Sequence, residues 1–358
     1  MKKVGILTLG LKDNYGGILQ TVALYTFLEN NNFSPVWIKK YPIQKVWKKL
    51  ATKILQMIPG QNYKNIRLSN IKYQNNLKFL SDHLPRQSDV FYFKSDIENY
   101  IVKENIDYLI VGSDQVWRYT YINDSEYDIY FLNFNIPYPI NKIAYAASFG
   151  LSYWEEPSKK NEVSKYLNDF KAVSVREETG IEICNKDFNF NDAKLVLDPT
   201  LLIDPSIYVK FIKSDLKNLG GCVTYILDNN DRKKQVVSAI CEKYNLPNNI
   251  NLKSDTVLYP IEHWVTHIAK SDFVVTDSFH GMVFSIIFKK QFLVVVNKNR
   301  GSDRFYSICN QLGLTDRLVE ETDNYSKELM DIDYDAVYLK LEKLKSISFD
   351  FLLNALRS

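Results

Sequence analysis

Residues 271–290, SDFVVTDSFHGMVFSIIFKK, constrain the fold more than any other stretch of the chain. Asp272 to Val275 opens a continuous apolar run of β-branched and aromatic residues, the signature of a short strand buried on both faces. Thr276, Asp277 and Ser278 then supply three successive helix N-cap candidates, and Gly281 permits close backbone approach. Met282 to Phe288 is apolar nearly throughout, which predicts a helix buried on most sides. His280 therefore sits at a strand-to-helix crossover. In an open α/β sheet that is the end where ligands bind and where helix N-termini favour anions. The competing reading is a structural histidine satisfied at a turn.

The same alternation runs along the chain. Val4 to Leu9 reads as a strand that leads through a loop, GLKDNYGG, into a helix, ILQTVALYTFLEN, in which Ile18, Val22, Tyr25 and Leu28 repeat at helical spacing. Val36 to Ile38 follows as the next strand, giving a right-handed βαβ unit. The loop lacks the GxGxxG fingerprint of a dinucleotide site. Gly16-Gly17 either serves a turn or lets an anion or sugar approach the backbone. Further strands are predicted at Asp107–Gly112, Lys142–Phe149, Ala172–Arg176 and Lys194–Leu197. From Ser206 the pattern restarts, with strand CVTYIL, helix DRKKQVVSAICEKY, a short strand at Asn251-Leu252, a helix over Ile261–Ala269, strand Phe292–Val296 and a helix over Tyr334–Leu356. With 358 residues, this predicts two domains, over 1–205 and 206–335, and a helix over 336–358 that packs back on the first. Asp331 and Asp333 are expected to cap that helix.

Composition excludes several classes. The net charge of +3 carries no nucleic-acid signature, and 46% hydrophobic with 24% charged residues is ordinary for a globular chain. Cys184, Cys222, Cys241 and Cys309 show no CxxC pairing, which argues against a zinc site or a disulfide framework and for reduced thiols in the cytosol. His263 and His267 stand at i, i+4 but lack the Glu of HExxH and a third ligand, so they read as surface histidines and no metal is expected. No run approaches the ~18 apolar residues of a membrane span. Between Glu29 and Asp82, however, there is no acidic residue and there are ten bases. Within this basic insertion, 39–80, Trp47, Leu50, Ile54 and Ile58 form an apolar stripe beside Lys45, Lys48, Lys49 and Lys53. Such a basic amphipathic helix, closed by Pro59-Gly60, either brings residues 39–78 to an anionic membrane surface or packs on its own domain.

The strand ends carry the remaining candidates. GSDQVWR follows the Asp107–Gly112 strand: Ser113, Asp114 and Gln115 can hydrogen-bond hydroxyls, and the indole of Trp117 can stack on a pyranose ring. Alternatively, Ser113 and Asp114 cap a following helix. Arg176 ends its strand as a candidate clamp for carboxylate or phosphate. Arg300 and Arg304 flank a glycine turn after Phe292–Val296.

Together, NYGGILQ (14–20), VGSDQVW (111–117), IAYAASFG (143–150), SVREETG (174–180), LDPTLLI (197–203) and TDSFHGMVFSIIF (276–288) resemble, in order, the polysaccharide pyruvyl transferase family. The resemblance implies a GT-B-like α/β architecture of two Rossmann-like domains facing across a cleft. It also implies transfer of pyruvate from phosphoenolpyruvate (PEP) onto a sugar of a cell-surface polysaccharide or its lipid-linked precursor, as a ketal across two hydroxyls. PEP is then a co-substrate and no cofactor is needed. Arg176 and His280 match the arginine and histidine of the family, so Arg176 is expected to bind PEP and His280 to act as general acid, with Ser278, Phe279, Arg304 and Arg300 expected on the donor side. Asn14, Tyr15, Gly16, Gly17, Gln20, Ser113, Asp114, Gln115 and Trp117 fall to the acceptor. Some members carry Arg-x-His where Ser278 stands; either Arg304 or Arg300 supplies the charge here, or PEP is not the donor. A nucleotide-sugar glycosyltransferase and a non-catalytic carbohydrate-binding homologue are the alternatives. The expected location is cytoplasmic, with a peripheral contact at the inner membrane face.

Overall fold

Residues 1–11, 14–42, 73–122, 124–217, 219–247, 249–253, 259–297, 301–321 and 329–357 are described in a computed structural model. The apolar stripe of the basic insertion, from Trp47 to Ile58, lies outside the described residues, as does Arg300. The chain divides into two compact units. The first takes the described residues up to 42 with 78–203 and 343–357, and the second takes 73–77 with 204–342.

The first unit is built on seven parallel strands: β1 (Lys3–Leu7), β2 (Ser34–Lys40), β3 (Gln87–Phe91), β4 (Tyr108–Val111), β5 (Asn141–Ala147), β6 (Ala172–Val175) and β7 (Lys194–Leu195). Their order is β3-β2-β1-β4-β5-β6-β7. Both faces of such a sheet are covered, which is why its central strands read as unbroken apolar runs: every residue of β4 is buried. Leu7, Ile38, Leu109 and Val111 join Ile97 and Ile101 of the Lys94–Glu104 helix in one core cluster. Strand order reverses between β1 and β4, so the loops leaving these strands diverge and open a crevice at the carboxyl edge.

The helix after β1 begins earlier than its sequence suggests. It runs Tyr15–Asn30, so Gly16 and Gly17 form its first turn rather than a loop. Asn14 is the cap: its Oδ1 accepts from the Gly17 amide at 3.0 Å. A Cβ on Gly17 would press on the Asn14 side chain, so glycine there serves the cap.

The second unit holds five parallel strands: β8 (Cys222–Tyr225), β9 (Asn249–Asn251), β10 (Phe273–Thr276), β11 (Gln291–Val296) and β12 (Leu318–Glu320). Their order, β12-β11-β10-β8-β9, reverses between β8 and β10. The Phe279–Ile287 helix leaves β10 with all its residues buried. The chain is thus α/β with parallel sheets in two Rossmann-like domains. The Tyr334–Arg357 helix starts in the second unit, where the Tyr338 hydroxyl donates to Ile287 O at 2.9 Å. Its start is capped by Asp333, whose Oδ1 accepts from Asp335 N and Ala336 N at 3.1 Å. Among the described residues no helix is long and apolar enough to cross a membrane.

His267 departs from its surface assignment: it is buried on the Ile261–Lys270 helix, against Tyr259 and with Nδ1 2.7 Å from His263 O. The amphipathic helix turns this position inward. Burial lowers its pKa from the usual 6.5, the His263 carbonyl opposing in part. The unfolded ring takes up a proton that the folded ring resists. Its contribution to stability is therefore complete above about pH 6.5 and is lost as pH falls from there toward the depressed folded value. In urea titrations across pH 5–8, wild type should lose stability relative to His267→Gln only on the acid side. A constant difference across that range would refute this.

Candidate functional site

At the switch point of the first sheet, β4 ends in Gly112-Ser113-Asp114. Gly112 has φ +121°, and a Cβ there would run into the Tyr145 carbonyl, so only glycine lets the chain pass this close to β5. Asp114 (φ +79°) and Ala146 (φ +50°) are also left-handed. Three hydrogen bonds hold these loops together: Ser113 Oγ to Ala146 O at 2.9 Å, Ser148 N to Asp114 O and Trp117 N to Ser148 O, both at 3.1 Å. The turn after β4 and the end of β5 thus lock each other in sparsely populated backbone conformations, a pattern that clusters at functional sites.

Onto this turn the other elements deliver a polar cluster. Asn14 Nδ2 donates to Asp114 Oδ2 at 2.8 Å. Gln20, on the buried face of its helix, donates through Nε2 to Ser113 Oγ at 3.0 Å and also to Asp198 Oδ2. Arg176, at the end of β6, reaches three carboxylates: Asp198 at 3.1 Å, Asp114 at 3.3 Å and Glu177 at 3.6 Å. Asp198 also accepts from Thr200 N at 3.0 Å, capping the Pro199–Leu202 turn of helix. Burial alone would lower the Arg176 pKa, but Asp114, Asp198 and Glu177 outweigh it and raise it, so the guanidinium is fixed as a cation.

The structure therefore gathers Asn14, Gln20, Ser113, Asp114 and Arg176 into one cluster. It gives Arg176 a different setting from an open anion clamp: its side chain is 1% exposed, while Asp114 is the most accessible of its three partners at 11%. Glu177 and Asp198 were not singled out by sequence, although both lie inside the family-like stretches. Tyr15, Gly16 and Gly17 are buried in the helix. Ser113 and Asp114 do not cap a helix; a turn follows them.

Trp117 requires a correction. Its ring is fully buried, stacked on Phe131 at 5.2 Å and packed against Phe149 at 5.1 Å, and its Nε1 donates to Tyr130 O at 2.9 Å. With both ring faces and its one donor occupied, the indole anchors the loop to the core and cannot stack on a sugar.

The second unit repeats the arrangement at its own switch point. Ser278 is the N-cap of the Phe279–Ile287 helix, its Oγ accepting from Gly281 N at 3.4 Å, and Ser278 N donates to Thr276 Oγ1 at 3.0 Å. A Cβ on Gly281 would run into Thr276 Oγ1, so glycine lets helix and strand approach. The residue that stands in place of an arginine is thus a helix cap with a defined local task. His280 lies in the first turn, 6% exposed, its ring 5.2 Å from that of Phe279. Arg304, on the Asp303–Leu312 helix, places its guanidinium 5.4 Å from the Phe279 ring. Phe279 is itself buried.

Beneath His280 lies a network with only a faint sequence signal. Asp277, fully buried, accepts from Leu227 N at 2.6 Å, Asp228 N at 3.1 Å and Lys233 Nζ at 2.8 Å. Lys233 also meets Glu321 at 3.0 Å, and Asn297 Nδ2 donates to Asp228 Oδ2 at 2.6 Å. Burial opposes the charge on Lys233, but Asp277 and Glu321 prevail and raise its pKa. This ties the ends of β8, β10 and β11 to the turn that carries His280. Among the described residues no cluster of His, Cys, Asp or Glu is arranged to hold a metal.

A family model described as polysaccharide pyruvyl transferase matches residues 14–299. No curated protein matches the sequence significantly. Among solved structures, one from Listeria monocytogenes, assigned as a UDP-N-acetylglucosamine 2-epimerase, superposes with TM-score 0.51 at 12% identity, covering 98% of this chain and 91% of its own. The UDP-GlcNAc 2-epimerase of Neisseria meningitidis gives 0.49 at 10% identity, covering 99% of each chain. The fold class is thus GT-B-like.

Proposed function

Because the chain belongs to the polysaccharide pyruvyl transferase family, we propose that it transfers pyruvate from PEP to a sugar of a cell-surface polysaccharide or its lipid-linked precursor. One hydroxyl gives up its proton as its oxygen bonds to C2 of PEP, while C3 takes up a proton and becomes a methyl group. The second hydroxyl oxygen then displaces phosphate from C2, its proton leaving with the phosphate, and the ketal closes. The observation that carries this reading is the placement of the family-like stretches: each reaches the carboxyl edge of a parallel sheet, and the two marked by Asp114 and His280 end strands that flank the switch points.

His280 takes the role of the acid that protonates C3 or assists departure of phosphate. The start of the Phe279–Ile287 helix offers backbone donors to an anion, with Ser278 as a hydroxyl partner and Arg304 as the cation. Asp114, Asn14, Gln20, Ser113 and Gln115 serve the acceptor, with Arg176 as the residue that fixes Asp114.

Thermal unfolding tests the donor. PEP should raise the unfolding midpoint in a concentration-dependent way, and UDP-sugars should not. With a competent acceptor, His280→Ala should cut phosphate release from PEP about 100-fold or more. A shift with a UDP-sugar and none with PEP would put a glycosyltransferase in its place.

A further inference from the structure

Tyr121 is an exposed ring in the loop after β4, and we infer that it is the stacking platform for a pyranose, an assignment that rests on the carbohydrate-acceptor reading above. Tyr121 closes the short Tyr119–Tyr121 turn in the loop after β4, four positions beyond the buried Trp117, and is 48% exposed. A singly exposed aromatic residue needs no explanation. This one is held in place.

Arg118, itself 9% exposed, stacks its guanidinium 4.3 Å from the Tyr121 ring centroid. Its Nη1 donates to the Tyr121 hydroxyl and to Gln115 Oε1, each at 3.0 Å. Gln115 and Arg118 in turn lie against Gly150, in the loop after β5. Gly150 has φ +75°, and a Cβ on it would run into Gln115 Oε1 and Arg118 Cδ. A buried cation and a left-handed glycine are thus committed to one solvent-facing ring.

That arrangement has a binding consequence. A free surface tyrosine loses rotamer freedom when a ligand stacks on it, whereas a ring already braced by a guanidinium has less to lose. A pyranose presents an apolar C–H face for such a ring and a rim of hydroxyls for polar neighbours. Asp114 and Gln115 occupy the same loop, and the Asp114 carboxylate and the Gln115 amide nitrogen are the polar groups assigned to that rim. Tyr153, 60% exposed in the loop after β5, adds a second ring near this edge.

Saturation-transfer NMR with methyl β-D-galactopyranoside, methyl β-D-glucopyranoside and methyl α-D-mannopyranoside tests the assignment. Wild type should transfer saturation to ring protons of at least one glycoside. Tyr121→Ala should weaken its binding about three- to tenfold, while Tyr121→Phe and Tyr121→Trp stay within about twofold of wild type. Equal binding by wild type and Tyr121→Ala, equal loss in all three variants, or no transfer to any glycoside would each overturn it. The PEP-dependent midpoint of wild type is read separately: its absence defeats the donor chemistry, whereas glycoside binding that depends on the Tyr121 ring stands by itself.

Discussion

Arg176→Ala should lower the unfolding midpoint of the first unit by roughly 10 °C. The substitution leaves Asp114, Asp198 and Glu177 facing one another without their shared cation. All are held on side chains no more than 11% exposed. Removing one partner of a buried ion pair costs about 3–5 kcal/mol, and each kcal/mol moves the midpoint of a unit this size by about 2–4 °C. Arg176→Lys restores the charge but not the fork that reaches several carboxylates at once, so it should fall between wild type and alanine. Differential scanning calorimetry on the whole chain reads this directly. A shift below about 3 °C for alanine would mean that the three carboxylates rearrange or take up protons without cost, contrary to this account. The same experiment warns against using Arg176→Ala to map ligand contacts, since lost binding and lost fold would look alike.

Lys233→Met should have a comparable effect on the second unit. Its ammonium is the cation that meets Asp277, a carboxylate with no exposure, at 2.8 Å. Methionine fills the volume and strands that charge, again at about 3–5 kcal/mol. Pairing it with Asp277→Asn removes the stranded charge and should recover part of the loss. The coupling between the two positions should exceed about 1 kcal/mol in a double-mutant cycle. Additive effects would show that Lys233 and Asp277 stabilise the unit separately. Because Asp277 also holds the amides of Leu227 and Asp228, Lys233→Met should reduce phosphate release from PEP even at temperatures where the protein remains folded. Retained activity there would limit Lys233 to stability.

Much of this was legible in the sequence because parallel strands buried on both faces announce themselves as apolar runs. The runs mark β1, β4, β8, β10 and β11 to within one or two residues of their bounds. β3 gives no such run: its residues, QSDVF, are mostly polar, and the strand pairs on one side only, at the sheet's edge. Two glycines hide the start of the Tyr15–Asn30 helix because they suggest a loop, whereas Asn14 as a cap makes them part of the turn. Trp117 illustrates a different limit. An indole beside Ser, Asp and Gln has the right chemistry for a sugar, and only packing reveals that Phe131 and Phe149 already occupy its faces. Lys233 had no distinguishing mark among the charges of DRKK, since nothing local tells a buried lysine from its solvated neighbours.

The Tyr334–Arg357 helix has a consequence for the order of folding. Its last turns complete the first unit: Ser348 Oγ accepts from Leu197 N at 2.9 Å, Phe351 lies 6.5 Å from Tyr145, and Phe349 packs edge-on against Phe27 at 5.2 Å. These residues leave the ribosome after all of residues 204–342, so the unit that begins synthesis first is finished last. Until they arrive, Phe27 and Tyr145 lack part of their cover, and closing contacts this distant in sequence is slow. The second unit needs only the start of this helix, to Glu342. Chains stopped after Glu342 should therefore gain protease resistance in residues 204–342 but not in the sheet of β1 to β7, reversing the usual N-to-C order of domain maturation.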